Sequence, residues 1–187
     1  MIKNSSEAYG WVSIALHWIT AVTVVGLFAL GLWMMSLDYY DTWYKKGPDL
    51  HRSIGVLLVL LVIFRLVWRL VNPKPADLPT HKKWEKVSAH IAHWLFYILI
   101  ILMFPTGYFI TTAEGQSLYV FDWFAIPSSI TGVDLMADIS GEIHEIIAFT
   151  IIGLAVVHAL GALKHHFLDK DSTLKRMLGF SSKSTSE

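Results

Sequence analysis

The chain contains no cysteine, which excludes disulfides, iron–sulfur clusters, thiolate metal sites and thiolate catalysis at a stroke. Charge is scarce too: Asp, Glu, Lys and Arg make up 16% of the residues and cancel to a formal net charge of zero, so nothing recommends a nucleic-acid partner. What fills the space is apolar, 54% of 187 residues, well above a soluble domain of this length. With thiols absent, nine histidines are the main coordinating groups.

Four stretches are long and apolar enough to cross a hydrocarbon core of ~30 Å, which needs about 20 helical residues. They are expected at roughly 11–35, 51–71, 88–111 and 141–164, giving an all-α, four-transmembrane-helix bundle in a single domain over residues 1–187. The Asn72-Pro73-Lys74-Pro75 turn should close the second span, because proline disfavours helix at the preceding residue. Pro105 and Gly107 predict a kink near the outer end of the third. The first apolar run is too long for a cleavable signal peptide and stays as an anchor. Residues 112–140 mix Phe121, Trp123, Phe124 and Pro127 with acids and read as an interfacial cap, and the Ser-rich segment 181–187 as a disordered tail.

Orientation follows from Lys and Arg. The connection between the second and third spans, with its flanks, carries Arg65, Arg69, Lys74, Lys82, Lys83 and Lys86, and the C-terminal end carries Lys164, Lys170, Lys175, Arg176 and Lys183. Both should face the cytoplasm, placing both termini there. The connection between the third and fourth spans has neither Lys nor Arg but contains Glu114, Asp122, Asp134, Asp138 and Glu142, and should face outward. Of the basic residues only Lys45, Lys46 and Arg52 then lie on the outer side.

That topology sets the depth of each histidine. Ionisable groups inside membrane helices are costly and usually face the bundle interior. His144 and His158 on the fourth span are separated by about four turns, roughly 21 Å, on nearly one face. His17 on the first span is level with His158, and His51 on the second with His144. One imidazole from each of two facing helices at matched depth is what a bis-histidine haem requires, so two pairs imply two haems stacked along the membrane normal. Gly55, Gly141 and Gly161 lie within a turn of these histidines and leave room for flat rings, although they equally suit close helix packing. Arg65, about four turns after His51, points toward the inner pair as a counter-ion for a haem propionate, with a snorkelling anchor as the plainer alternative. A lone intramembrane histidine is more often a satisfied hydrogen-bonding group, but independent core histidines have no reason to match in level across helices.

The residues Leu16-His17-Trp18, His51-Arg52-Ser53-Ile54-Gly55, Ile143-His144-Glu145, Val157-His158-Ala159, His165-His166 and Lys170-Asp171-Ser172-Thr173-Leu174 span nearly the whole chain. With them the chain resembles the bacterial cytochrome b561 family, dihaem proteins of the inner membrane similar to the cytochrome b subunits of hydrogenases and formate dehydrogenases. The resemblance implies two b haems, with His17, His51, His144 and His158 as axial ligands. His90 and His93, three residues apart at the start of the third span, are candidates for a propionate or a quinone headgroup, or simply cap the bundle. His165 and His166 read as interfacial and His81 as a solvated linker residue.

Six-coordinate irons leave no open position for substrate, so no catalytic residue is assigned and outer-sphere electron transfer is expected. One family member is a superoxide oxidase that passes electrons to ubiquinone, which makes superoxide, or a periplasmic redox protein, the implied donor and quinone the implied acceptor. Lys45, Lys46 and Arg52 near His51 would favour an anion, while Asp38, Asp41, Asp49 and Glu145 add to the outer acids and oppose it. Two other readings are a membrane anchor and quinone-linking subunit of a larger dehydrogenase and, lower in rank, a metal-ion transporter. A transporter should carry acids within its spans, yet Glu145 is the only acid in any of them beyond the very ends.

Overall fold

A computed structural model describes residues 1–133 and 135–180; Asp134, Lys183 and the tail expected over 181–187 lie outside the described residues. Helices α1 (Trp11–Met34), α2 (Lys46–Val71), α3 (Lys83–Thr112) and α4 (Met136–Phe167) are each long and apolar enough to cross a membrane. A short α5 (Thr173–Met177) follows, and between α3 and α4 strands β1 (Leu118–Val120) and β2 (Phe124–Ile126) form an antiparallel hairpin.

Three of the long helices begin five residues before their apolar runs do. The added turns are polar, such as Lys46 to Leu50 and Lys83 to Val87, and belong to the interface, where hydropathy no longer marks helix but backbone hydrogen bonding still favours it. The extra turn of α3 is capped by Glu85, whose carboxylate accepts the Lys82 amide at 2.8 Å. Pro105 lies within α3, which continues through it to Thr112.

Side chains that face lipid are apolar and uncovered, among them Val22, Leu60, Ile146 and Val157. The interior is narrow. Leu58, Val62, Tyr97, Ile100 and Ile151 form one buried cluster, and Val56, Tyr108, Leu118 and Val120 form a second beneath the hairpin. Among the described residues the hairpin is the one non-helical regular element, and β alternation makes it work as a plug. Leu118 and Val120 point inward while Tyr119 stays exposed. Phe121 and Asp122 take left-handed φ values of 46° and 58° in a tight turn closed by Trp123 N–H donating to Val120 C=O. The amide of Phe121 donates to Ser53 Oγ at 3.0 Å, pinning the plug to α2.

Helix contacts are uneven. α1 packs along α2, α2 against α3 and α3 closely along α4, whereas α4 approaches α1 over a short stretch only. The resulting gap between α4 and the α1/α2 side is where the histidines project.

Candidate functional site: two levels of facing histidines

His17 from α1 and His158 from α4 face each other with ring centroids 6.4 Å apart and planes inclined at 59°. At the opposite level His51 from α2 and His144 from α4 lie 6.2 Å apart at 61°. The structure therefore brings together the four histidines singled out from the sequence, in the combinations expected. Two imidazoles that clamp one metal ion in line, each through a bond of about 2.0–2.1 Å, hold their ring centres roughly 6.3 Å apart. Both separations match that figure, and neither pair is hydrogen-bonded to itself. The donor set also fits: His51 Nδ1 is buried with no hydrogen-bond partner, and among the described residues no Asp or Glu clusters with either histidine pair as a third ligand.

A spacing of 14 residues relates the two levels on every helix. It separates His144 from His158 on α4 and His51 from Arg65 on α2, and also His17 from Gly31 on α1 and His93 from Gly107 on α3. Four turns return a helix nearly to the same azimuth, so each helix offers one residue to each level from a single face. At the inner level the set is His17, Arg65, His93 and His158; at the outer level it is Gly31, His51, Gly107 and His144.

The glycines of this set seat the histidine rings. A Cβ at Gly31 would stand 3.4 Å from His51 Cε1, and one at Gly107 would stand 3.3 Å from His144 Cε1. Sequence reasoning missed both because it looked near the histidines along the same helix; the 14-residue repeat was the signal that could have found them. Gly55, Gly141 and Gly161 meet nothing within 4 Å of an added Cβ and adjoin open space instead.

Ring orientation comes from a residue the sequence did not flag. Thr106 Oγ1 lies 3.0 Å from His144 Nδ1 and also 3.0 Å from Met103 C=O and 3.2 Å from Leu102 C=O. With its hydroxyl hydrogen given to a carbonyl, Thr106 accepts from His144 Nδ1–H, which leaves the lone pair on Nε2. At the inner level an Arg65 guanidinium nitrogen lies 3.0 Å from His17 Nδ1, and the guanidinium lies over the Tyr97 ring, as does that of Arg69. Arg65 thus reaches the inner histidine level. The third-span candidates separate: His93 turns inward, its ring centroid 5.4 Å from that of His158, whereas His90 is exposed and takes a hydrogen bond from Trp94 Nε1 at 3.1 Å. Residues three apart diverge by about 60° in azimuth, which is why His93 turns to the inner histidines while His90, the expected cofactor contact, stands at the bundle surface beside Trp94.

The end of the bundle that holds α5 carries a further cluster. His81, expected to be solvated, is largely buried, with Nε2 2.8 Å from Thr173 Oγ1 and 3.2 Å from Asp171 Oδ2. His165 from α4 faces the same carboxylate at 3.3 Å. Burial pushes the Asp171 carboxyl up, but the Thr173 side chain and amide, His165 and Thr80 together bring it below its ordinary value.

Comparison with known proteins bears on this arrangement. The model of a family described as prokaryotic cytochrome b561 matches residues 8–180. A relative from Escherichia coli (strain K12) named cytochrome b561 homolog 2 is 45% identical over 179 residues, which cover 96% of this chain and 95% of that protein. A protein of Yersinia pestis named probable superoxide oxidase CybB is 30% identical over 92% of this chain and 96% of its own length. A cytochrome b562 of Cereibacter sphaeroides is 27% identical over 94% of this chain and 98% of its own.

Proposed function

This chain belongs to the prokaryotic cytochrome b561 family, and from that premise we propose that it carries electrons between the two faces of the membrane through two b haems held by its four facing histidines. Membership makes it a b-type cytochrome of electron transport and a multi-pass protein of the bacterial inner membrane. The residue assignment is His17 with His158 on the cytoplasmic side and His51 with His144 on the periplasmic side, with both termini cytoplasmic and residues 1–187 acting as one b561-type domain. Gly55 leaves space for a ring face, and Arg65 is the propionate partner.

The observation that carries the proposal is the pair of ring separations, 6.4 and 6.2 Å, repeated at two levels of one bundle. Haem held by these histidines would supply a one-electron iron couple. The residues do the rest. The four imidazoles hold and align the rings, and Thr106 fixes the protonated nitrogen of His144 on the side away from its partner. Arg65 brings a fixed positive charge to the inner level, and the hairpin with Val120, fully buried, keeps water from the outer end of the core. Losing the Thr106 acceptor makes the His144 imidazole a weaker donor and favours the reduced state. Thr106→Val should therefore raise the potential of one haem by roughly 40 mV, the one-electron equivalent of about 1 kcal/mol, while the other stays put in a redox titration.

The specific form of the proposal has superoxide as the outer donor and ubiquinone as the acceptor. In sum, two superoxide anions each lose one electron to become dioxygen, and the quinone takes two electrons and two protons to become quinol. Support comes from the name of the Yersinia relative and from Lys45, Lys46 and Arg52, which lie within six residues of His51 in sequence. Arg52 pairs with Asp49, which draws off part of that field. Rapid mixing of the purified oxidised protein with superoxide should reduce its haem bands within the mixing experiment, and added ubiquinone should reoxidise them. Bands that stay oxidised would remove superoxide from the proposal and leave transmembrane electron transfer to another donor.

A further inference from the structure

We infer that the cluster of His81, His165 and Asp171, outside the haem levels, is a binding site for one divalent transition-metal ion of the zinc type. The three residues come from three separate stretches of chain: the α2–α3 connection, the last turns of α4, and the turn into α5. Their nearest ligand atoms all lie within 4.8 Å of one another. Ligands at about 2.0–2.1 Å on a tetrahedral ion are roughly 3.3–3.4 Å apart. Asp171 Oδ2 stands 3.2 Å from His81 Nε2 and 3.3 Å from His165 Nδ1, so two edges of that tetrahedron already have the right length.

A plain hydrogen-bonded cluster does not account for His165. Its Nδ1 is buried, lies 2.8 Å from Asp169 Oδ2 and 3.3 Å from Asp171 Oδ2, and makes a hydrogen bond to neither. The lone pair and the N–H of an imidazole nitrogen share one axis, so a nitrogen beside two carboxylate oxygens can give the place of its proton to a metal ion. The Asp171 side chain is only 4% exposed, unlike a solvated surface acid, and Thr80 Oγ1 and the Thr173 amide orient it at 3.2 and 2.8 Å. The Thr173 hydroxyl at 2.8 Å from His81 Nε2 is the group an ion would displace from that nitrogen.

Charge distinguishes this site from its neighbour. Glu85 and Asp169 also adjoin His165, but Lys164 Nζ already bridges them at 2.6 and 2.7 Å, and an ammonium in place leaves no seat for a second cation there. Asp171 has no lysine or arginine partner among the described residues. Two imidazoles and one carboxylate, with water completing the shell, favour zinc over magnesium or calcium, which prefer oxygen alone. His165 follows His158 by two turns, so the ion would sit about 10 Å beyond the inner histidine level and tie the connecting loop to the end of α4.

The inference is independent of the haem assignment. Its test is equilibrium dialysis of the haem-loaded, detergent-purified protein against zinc chloride, with bound metal quantified per chain. One zinc per chain at micromolar free metal is expected, with nitrogen and oxygen neighbours at about 2.0 Å in its X-ray absorption spectrum. Asp171→Asn should lower the affinity at least tenfold, and His81→Gln, which keeps the side chain's bulk and polarity, should do the same with haem content unchanged. No retained zinc in the parent protein, or equal retention in both variants, would overturn the site and leave the cluster as a hydrogen-bonded staple.

Discussion

Replacement of His144 by leucine is expected to leave the purified protein with one haem per chain where the parent has two, seen as half the absorbance change in a reduced-minus-oxidised spectrum. The size of the effect follows from the geometry. His144 and His51 are the sole imidazoles facing each other at the outer level among the described residues, and leucine offers no lone pair to an iron. His51→Leu should remove the same haem, and His17→Leu or His158→Leu the other, so the four variants fall into two spectroscopic classes. Four different spectra, or a parent protein with one haem, would break the pairing.

The second large effect is expected from a residue with no side chain. Gly107→Val places a Cβ 3.3 Å from His144 Cε1 and adds two methyl groups beyond it, in a helix whose backbone cannot retreat because α3 packs closely along α4. The His144 ring must rotate off the line to His51 and surrender its contact with Thr106. Outer haem should fall more than tenfold in occupancy while the inner haem stays, read by haem quantification and by the remaining spectral component. Gly153→Val on α4, where an added Cβ meets nothing within 4 Å, is the control and should retain both haems. Equal loss in the two variants would mean that valine harms insertion generally and that Gly107 seats nothing.

The contrast between these positions shows how far the sequence could be read. Spans, their order and the depth of His17, His51, His144 and His158 follow from apolar length and spacing along single helices, which are one-dimensional properties. Facing across helices is not one-dimensional. His90 and His93 were indistinguishable along the chain until the azimuth of α3 turned one inward and left the other beside Trp94. Thr106 carries no signature of a histidine orienter, being one of several threonines in apolar helix, and matters only because α3 brings it against α4. The hairpin at residues 118–126 was concealed among aromatic residues and acids that resemble any interfacial loop, although the alternation of Leu118, Tyr119 and Val120 is there to be seen.

By itself, then, the sequence determined a membrane bundle of four spans with histidines at two depths, because hydrophobic length and helical pitch act residue by residue and need no partner. Tertiary structure decided which glycines cradle the rings, which hydroxyl orients His144, and that His81, His165 and Asp171 meet at all. Those contacts join residues up to 90 positions apart, from His81 to Asp171, and depend on helix rotation and on where connecting loops return. Rotation is set by the summed packing of whole helix faces, a quantity no local stretch of sequence contains.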